Sequence, residues 1–206
     1  MDHPLSILGF VNDERIVQIF WEILWVLPKN ETFYLVGGTV RNALYYDIHK
    51  IKLPQRDYDI AYIGNKISTI IPLLESIGFV LSSTFGKDQF IMKKPRTEWA
   101  NNSDGYIFLD ISIAKENFFL TMPKVDFTIG GLTIDLQKIF DSDWKNSLRW
   151  LPTTWNDIWE KRLISHNIGS RSLFRAIRFI YLGFLPPIQS DIEVMKQKII
   201  EQTSEQ

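Results

Sequence analysis

The sequence predicts an α/β (α+β) fold: a head with a mixed sheet of about five strands and helices mainly on one face, then a short helical extension. Residues 34–64 follow the order strand, glycine turn, helix, loop, strand. Residues 106–114 are a further apolar run of strand length, and helical patterns recur after residue 150. We therefore divide the 206 residues into a head, 1–143, and a neck-like extension, 144–206.

The amino-terminal part begins with a predicted helix at residues 13–27, which Asn12 or Asp13 can cap. Its apolar face is wide and is extended by Trp21 and Trp25, so we expect the helix to be mostly buried. The next two predicted elements are a strand at 32–36 and a helix at 40–46.

The middle of the chain contains both helical and strand patterns. Apolar residues at helical spacing predict one helix, and β-rich runs around a glycine turn predict a hairpin. In chain order we expect a helix at 68–77, strands at 79–85 and 89–93, a polar loop at 94–104 and a strand at 106–114.

The extension contains two predicted helices, at 170–183 and 190–202, and a disordered tail at 203–206. The buried stripe of the first helix is expected to consist of Leu173, Phe174, Ile177, Ile180 and Tyr181. Four tryptophans precede this helix: Trp144, Trp150, Trp155 and Trp159. They can stack on nucleobases or pack in the core, and we expect core packing.

The composition is that of an ordinary globular protein, with 45% hydrophobic and 23% charged residues and no cysteine. A thiolate metal site, a cysteine nucleophile and a disulfide framework are therefore excluded. No stretch approaches the length of a membrane span and the amino terminus lacks a basic leader, so we expect no membrane and a cytoplasmic protein. Residues 1–144 carry 14 Lys/Arg and 18 Asp/Glu, whereas residues 145–180 carry seven against two. This asymmetry is compatible with a metal site beside a polyphosphate or RNA site, or with solvated helix faces.

Two carboxylates stand at alternate positions of the second strand, Asp57 and Asp59. Side chains two apart on a strand point to the same face, so the two carboxylates repel each other unless a cation lies between them. Mg²⁺ takes oxygen ligands of this kind and keeps positions free for phosphates. Gly37 and Gly38 follow the first strand and open a helix, where backbone N–H groups can bind an anion.

A third carboxylate, Asp110, interrupts the apolar strand at 106–114. An isolated Asp in such a strand is costly unless it is paired or bound to a metal. The alternative is an Asp at an edge strand that faces solvent.

Four blocks of the sequence resemble, in the same order, the head of bacterial poly(A) polymerases and CCA-adding enzymes (class II tRNA nucleotidyltransferases), within the DNA polymerase β-type nucleotidyltransferase superfamily. The blocks are LVGGTVRNALYY (35–46), DYDIAYI (57–63), VDFTIGGLTIDLQKIFD (125–141) and SRSLFRAIRFIYLGF (170–184). The corresponding family patterns are LVGGxVRDxLL, DxDxxT, RRDFTINALAYD and RxxRAIRFxxxLGF.

The resemblance implies a metal-dependent nucleotidyltransferase that moves a nucleoside monophosphate from ATP or CTP to an RNA 3′ end, possibly that of tRNA. It implies two Mg²⁺ ions held by the catalytic aspartates, Asp57, Asp59 and Asp110. Nucleotide-binding residues follow from the same motifs, and they are Gly37, Gly38, Arg41, Asp126, Arg171, Arg175 and Arg178.

Several positions depart from the family patterns. Asn42 replaces the usual Asp, Val125 the usual Arg and Gly130 the usual Asn. The base-reading Glu-Asp-x-x-Arg is absent from 168–172, although Arg171 can substitute in part. Asp126 can alternatively cap the short helix that follows it.

The missing base-reading pair and the lack of the family's helical body leave other functions open. One is a nucleotidyltransferase that modifies a protein or a small molecule, and another is a non-catalytic nucleotide-binding regulatory module. A homo-oligomer, or a second subunit that supplies the RNA-binding surface, is a further expectation.

Overall fold

The computed structural model describes residues 7–8, 13–55, 57–64, 67–95, 105–115 and 125–204. These residues form one sheet and its covering helices. The strands are β1 (Thr32–Val36), β2 (Asp57–Ile63), β3 (Val80–Phe85), β4 (Gln89–Pro95), β5 (Tyr106–Ile113), β6 (Leu132–Asp135) and β7 (Leu148–Trp150). The helices are α1 (Glu14–Val26), α2 (Gly38–His49), α3 (Ile67–Ser76), α4 (Thr154–Trp159), α5 (Ser172–Tyr181) and α6 (Gln189–Ser204).

The strands form a single mixed sheet in the order β3-β4-β5-β2-β1-β6-β7. Of the six strand pairs in the described residues, β2–β5 is parallel and the others are antiparallel. The parallel register sets Asp59 opposite Asp110. Adjacent strands lie about 4.8 Å apart, so side chains on one face at this register are immediate neighbours.

The mixed α/β class is confirmed, but the sheet has seven strands and not about five. The two additional strands, β6 and β7, have four and three residues. Strands this short do not show an alternating pattern in the sequence, and β6 lies inside a segment expected to carry a short helix. The division at residue 143 stays a prediction; the sheet itself continues to β7.

Helix α1 begins where Asp13 accepts hydrogen bonds from the backbone N–H groups of Arg15 and Ile16, at 3.0 and 3.3 Å. Its buried side is Ile16, Ile19, Phe20, Ile23 and Leu24. The expectation that the tryptophans extend this buried face is wrong, because Trp25 is 87% exposed and Trp21 is 54% exposed. Trp21 stacks on Phe140, with 4.1 Å between ring centroids.

The core lies between the sheet and α1, α2 and α3. Tyr58 and Ile60 of β2 are fully buried there, which leaves the aspartates that alternate with them to project from the other face. No helix in the described residues has both the length and the apolar character needed to cross a bilayer.

The predicted buried stripe of α5 is wrong. Four of its five residues are exposed: Phe174, Ile177, Ile180 and Tyr181. The helix instead packs through Ser172 and Ala176. Periodicity identifies a stripe on a helix, but it does not show whether that stripe meets the core.

The ends of two elements, α6 and β4, differ from expectation. Thr203 and Ser204 belong to α6, whereas a disordered tail was expected from residue 203. Lys94 and Pro95 belong to β4, and the rest of the expected loop, 96–104, lies outside the described residues.

Candidate active site

Gly37 forms the turn between β1 and α2. Its φ of +62° lies in the left-handed region that favours glycine, and its N–H donates to the Leu132 carbonyl at 2.9 Å. A Cβ built on Gly37 would lie 3.7 Å from Oδ2 of Asp59. The turn therefore adjoins the carboxylate directly, and no side chain caps the first amides of α2. Such amides can bind an anion.

The three predicted catalytic aspartates come from the two parallel strands. Asp57 and Asp59 lie on β2 and Asp110 lies on β5, opposite Asp59. All three line one cavity of about 790 Å³. The structure thus brings together side chains that are far apart in the sequence.

The Asp59 carboxyl is strongly perturbed by its surroundings. Burial and, to a smaller extent, the negative charges of Asp57 and Asp110 raise its pKa to about 7, against the smaller opposing effects of Arg41 and Arg175. The arginines therefore do not balance the carboxylates. Three oxygen-donor side chains with excess negative charge suit a hard divalent cation such as Mg²⁺.

Asp110 is held by a neighbour that sequence analysis missed. Gln89 Nε2, at the start of β4, donates to both carboxylate oxygens of Asp110, at 2.8 and 2.9 Å. Within the described residues, no group of three or more His, Asp or Glu side chains is already arranged as a ligand set for a metal ion. Gln89 therefore fixes the orientation of the Asp110 carboxylate, whose oxygens keep further lone pairs that can bind a cation.

Arg41 projects from the first turns of α2 into the same cavity. Burial and, to a smaller extent, the positive charge of Arg178 lower the pKa of its guanidinium to about 10, while Asp59 and Asp57 oppose this. The guanidinium lies over the Phe179 ring, 4.7 Å from its centroid. Arg41 and Arg178 therefore form a positive side of a cavity whose other side is acidic.

Asp126 is 11% exposed and pairs with Arg175, with 2.5 Å between Oδ2 and Nη1. It does not cap the 3₁₀ turn at Thr128–Gly130, which has no side-chain cap. This ion pair joins the segment after residue 125 to α5. Its role in nucleotide binding stays a prediction.

Thr128 in the same segment has a structural role. Its hydroxyl donates to Oδ2 of the fully buried Asp157 in α4, at 2.6 Å. Arg162 Nη2 donates to the other oxygen of Asp157 at 3.1 Å. The hydroxyl of Thr154 also donates to the Thr128 carbonyl, at 2.8 Å. These contacts fix the segment that carries Asp126.

The cavity collects most, but not all, of the predicted site residues. Its lining includes Gly37, Gly38, Arg41, Asp57, Asp59, Asp110, Asp126, Arg175 and Arg178. Arg171 instead lines an adjoining groove of about 730 Å³, which shares Arg175 and Arg178 with the cavity and also includes Ile199, Gln202 and Thr203 of α6. It does not line the carboxylate cavity, because it lies at the start of α5, a full turn before Arg175.

The segment between α2 and β2 carries Lys50, Lys52 and Arg56. Lys50 and Lys52 do not line the cavity, and Lys52 lies 5.8 Å from the Tyr46 ring centroid. Arg56 lies outside the described residues. His49 is hydrogen-bonded through Nε2 to the Ile158 carbonyl at 3.0 Å.

The cavity lining also includes residues that were not predicted from the sequence, among them Asn42 as a contact of Arg41, Gln55, Gln89 and Phe179. Amides have no charge or metal-ligand pattern that singles them out. Gln89 is hydrogen-bonded to a strand that follows later in the chain, so only the strand pairing reveals it.

No family model and no curated protein matches the chain. Solved structures do match it. "The structure of CCA-adding enzyme apo form I" is 18% identical, with a TM-score of 0.60 over 97% of this chain and 47% of that one. A Thermotoga maritima CCA-adding enzyme in complex with tRNA is 22% identical, with a TM-score of 0.56 over 92% and 42% of the two chains.

A third solved structure is a tRNA nucleotidyltransferase with a primer tRNA and an incoming ATP analogue, which is 19% identical. Its TM-score is 0.51 over 89% of this chain and 50% of that one. This chain thus spans half or less of the length of these three enzymes. At these identities the likeness concerns the fold, and the chain has the fold of a class II tRNA nucleotidyltransferase-like head domain.

Proposed function

We propose that this chain is a metal-dependent nucleotidyltransferase that moves a nucleoside monophosphate from an NTP to an RNA 3′ hydroxyl and releases pyrophosphate. The observation that carries the proposal is the meeting of Asp57, Asp59 and Asp110 beside the Gly37 turn. Structures with this fold include complexes with CTP, with ATP and with tRNA. NTPs and a tRNA-like RNA are therefore the first ligands to test.

In the proposed reaction the 3′ oxygen attacks the α-phosphorus of the NTP. One phosphorus–oxygen bond forms, the bond to the pyrophosphate oxygen breaks, and the hydroxyl proton passes to a base or to water. We assign acceptance of this proton to Asp110, since it faces the aspartates of β2 across the parallel pair.

The donor chemistry of the three aspartates fits magnesium, and we assign two ions to them as ligands. Bound magnesium would neutralise charge on the phosphates and lower the pKa of the attacking hydroxyl. The chain's own contribution is to hold three carboxylates on adjacent strands at fixed spacing.

We assign the polyphosphate to the opposite side of the cavity. The uncapped amides at the start of α2, Arg41 and Arg178 supply hydrogen bonds and positive charge there. Because the acidic side and the basic side share one cavity, a triphosphate can contact both at once.

Removal of either β2 carboxylate tests the proposal. Asp57→Asn and Asp59→Asn should lower nucleotide transfer by roughly a thousand-fold or more, because charge stabilisation in the reacting complex is lost. Transfer is measured with each labelled NTP, Mg²⁺ and total tRNA. Asp143→Asn, at an exposed position outside the cavity, is the matched control. Parent-like transfer by both variants would refute the assignment of the aspartates.

A second candidate function is nucleotidyl transfer to a protein or a small molecule. It is favoured by the position of Arg171 in the adjoining groove, outside the lining of the carboxylate cavity, and by Gly169, which has no side chain to read a base edge. The same assay separates the candidates, since label appears on RNA in one case and on protein or metabolite in the other. NTP binding without pyrophosphate release would indicate a regulatory module instead.

A further inference from the structure

We propose that Asn42 and Gln55 form a hydrogen-bonded clasp that positions the Arg41 guanidinium for the polyphosphate of the substrate. This role rests on the function proposed above. Both are positioning residues: they act through Arg41 and through the loop that leads into β2.

The clasp begins at Asn42, which is 1% exposed on α2. Its Oδ1 accepts from Nε and Nη2 of Arg41, at 3.2 and 2.9 Å. Its Nδ2 donates to the Pro54 carbonyl at 3.2 Å and to Gln55 Oε1 at 2.8 Å. One amide therefore holds the guanidinium on one side and the loop on the other.

Gln55 completes the clasp. Its Nε2 donates to the Thr39 hydroxyl at 2.8 Å and to the Asp57 carbonyl. The two amide side chains thus connect α2 to the backbone of Asp57, one of the three aspartates of the cavity. A shift of this loop would move Arg41 and Asp57 relative to each other.

Because Asn42 is neutral, it leaves the positive charge of Arg41 available to a ligand. An amide oxygen fixes the guanidinium without cancelling its charge, and Arg41 forms no ion pair with a carboxylate within the described residues. Arg178, the nearby like charge, repels it. A bound anion would relieve this repulsion, so the preorganised cation favours a polyphosphate.

The amide of Asn42 also explains why this chain departs from the family pattern, which has Asp at this position. A carboxylate at position 42 would pair with Arg41, but it has no hydrogen to donate to the Pro54 carbonyl or to Gln55 Oε1. The amide supplies both an acceptor and a donor. Asn42 is therefore suited to join Arg41 to this particular loop.

Calorimetric titration of the protein with inorganic tripolyphosphate, in the presence of Mg²⁺, tests the clasp by binding and does not depend on turnover. Asn42→Ala should weaken binding roughly ten-fold, because Arg41 loses its fixed orientation. Gln55→Ala should also weaken tripolyphosphate binding, but by a smaller factor, since the direct contact between Arg41 and Asn42 remains. Asn146→Ala and Gln137→Ala, both at exposed positions outside the cavity, should bind like the parent.

A second measurement separates positioning from a general structural role. In an Arg41→Ala background, Asn42→Ala should cause no further loss of tripolyphosphate affinity, because its effect passes through the guanidinium. An equal loss in both backgrounds would overturn the proposal. Should Asn42→Ala not fold, as judged by circular dichroism, the same comparison is made with Gln55→Ala and with the nearly isosteric Asn42→Asp.

The outcomes distinguish this proposal from the proposed function. If the parent transfers nucleotide but Asn42→Ala and Gln55→Ala bind tripolyphosphate as the parent does, the clasp proposal alone is wrong. If the parent neither binds tripolyphosphate nor transfers nucleotide, both proposals are wrong. Weaker binding by the two variants with parent-like binding by the controls supports the clasp.

Discussion

Asp59 shows how one residue couples the site to the stability of the fold. Burial and the adjacent aspartates raise its pKa to about 7, from 3.8 as the ordinary value. The folded chain therefore holds a proton there that the unfolded chain releases above about pH 4. This contribution to stability is fully present below pH 4 and is lost as the pH rises towards 7. A pKa raised from 3.8 to about 7 corresponds to at most about 4 kcal/mol of the free energy of unfolding.

We predict that Asp59→Asn flattens this pH dependence. Without Mg²⁺, the free energy of unfolding of the parent should fall between pH 4 and 7 relative to that of the variant, because the variant has no proton to lose. Denaturant unfolding at several pH values measures the difference. Added Mg²⁺ should stabilise the parent at pH 8 and leave the variant almost unchanged. Parallel curves for both proteins without metal would contradict the raised pKa.

At the scale of elements, α5 shows an apolar stripe on the outside of the molecule. Phe174 is 64% exposed and Tyr181 is 89% exposed, while Phe184, just after the helix, is 3% exposed and contacts Tyr45 and Phe179. Two phenylalanines close together in sequence therefore differ in environment, and they form a matched pair.

We predict opposite outcomes for the same substitution at these two positions. Phe174→Ala should change the free energy of unfolding by less than about 0.5 kcal/mol, as is usual for exposed sites. Phe184→Ala should lower it by about 3–5 kcal/mol, because it leaves a cavity in the core. Urea denaturation of the two variants measures both values. A large loss for Phe174→Ala would mean that the outer face of α5 is covered in solution.

The same elements show what sequence can predict. The strands that carry the aspartates are long, and the side-by-side placement of Asp57 and Asp59 follows from local alternation. The outward side of α5 and the short strands β6 and β7 depend on what packs beside them. The contacts of Gln89 with Asp110 and of Asn42 with Gln55 join distant segments, so the sequence gives no local signal for them.

At the scale of the whole molecule, the part after residue 143 is joined firmly to the head. β7 pairs with β6, Arg175 pairs with Asp126, and the buried Asp157 binds Thr128. The helical part therefore helps to build the cavity, to which Arg175, Arg178 and Phe179 also contribute.

We predict that Asp157→Ala weakens this junction. The substitution removes the acceptor of the Thr128 hydroxyl and one of the two carboxylate partners of Arg162, so the free energy of unfolding should fall by about 3 kcal/mol. Thermal and urea denaturation measure the loss, with Asp143→Ala, at an exposed position, as control. A loss no greater than that of the control would show that the junction does not depend on Asp157.

The parallel pairing of β2 with β5 has a consequence for folding. α3 and the β3–β4 hairpin lie between these strands in the chain, so Asp59 and Asp110 become neighbours only after the intervening segment has closed. An unfolded or half-assembled chain has no three-aspartate cluster. Any cation that the cluster binds therefore binds the folded chain and not the unfolded chain. A higher concentration of that cation shifts the folding equilibrium towards the native state by mass action.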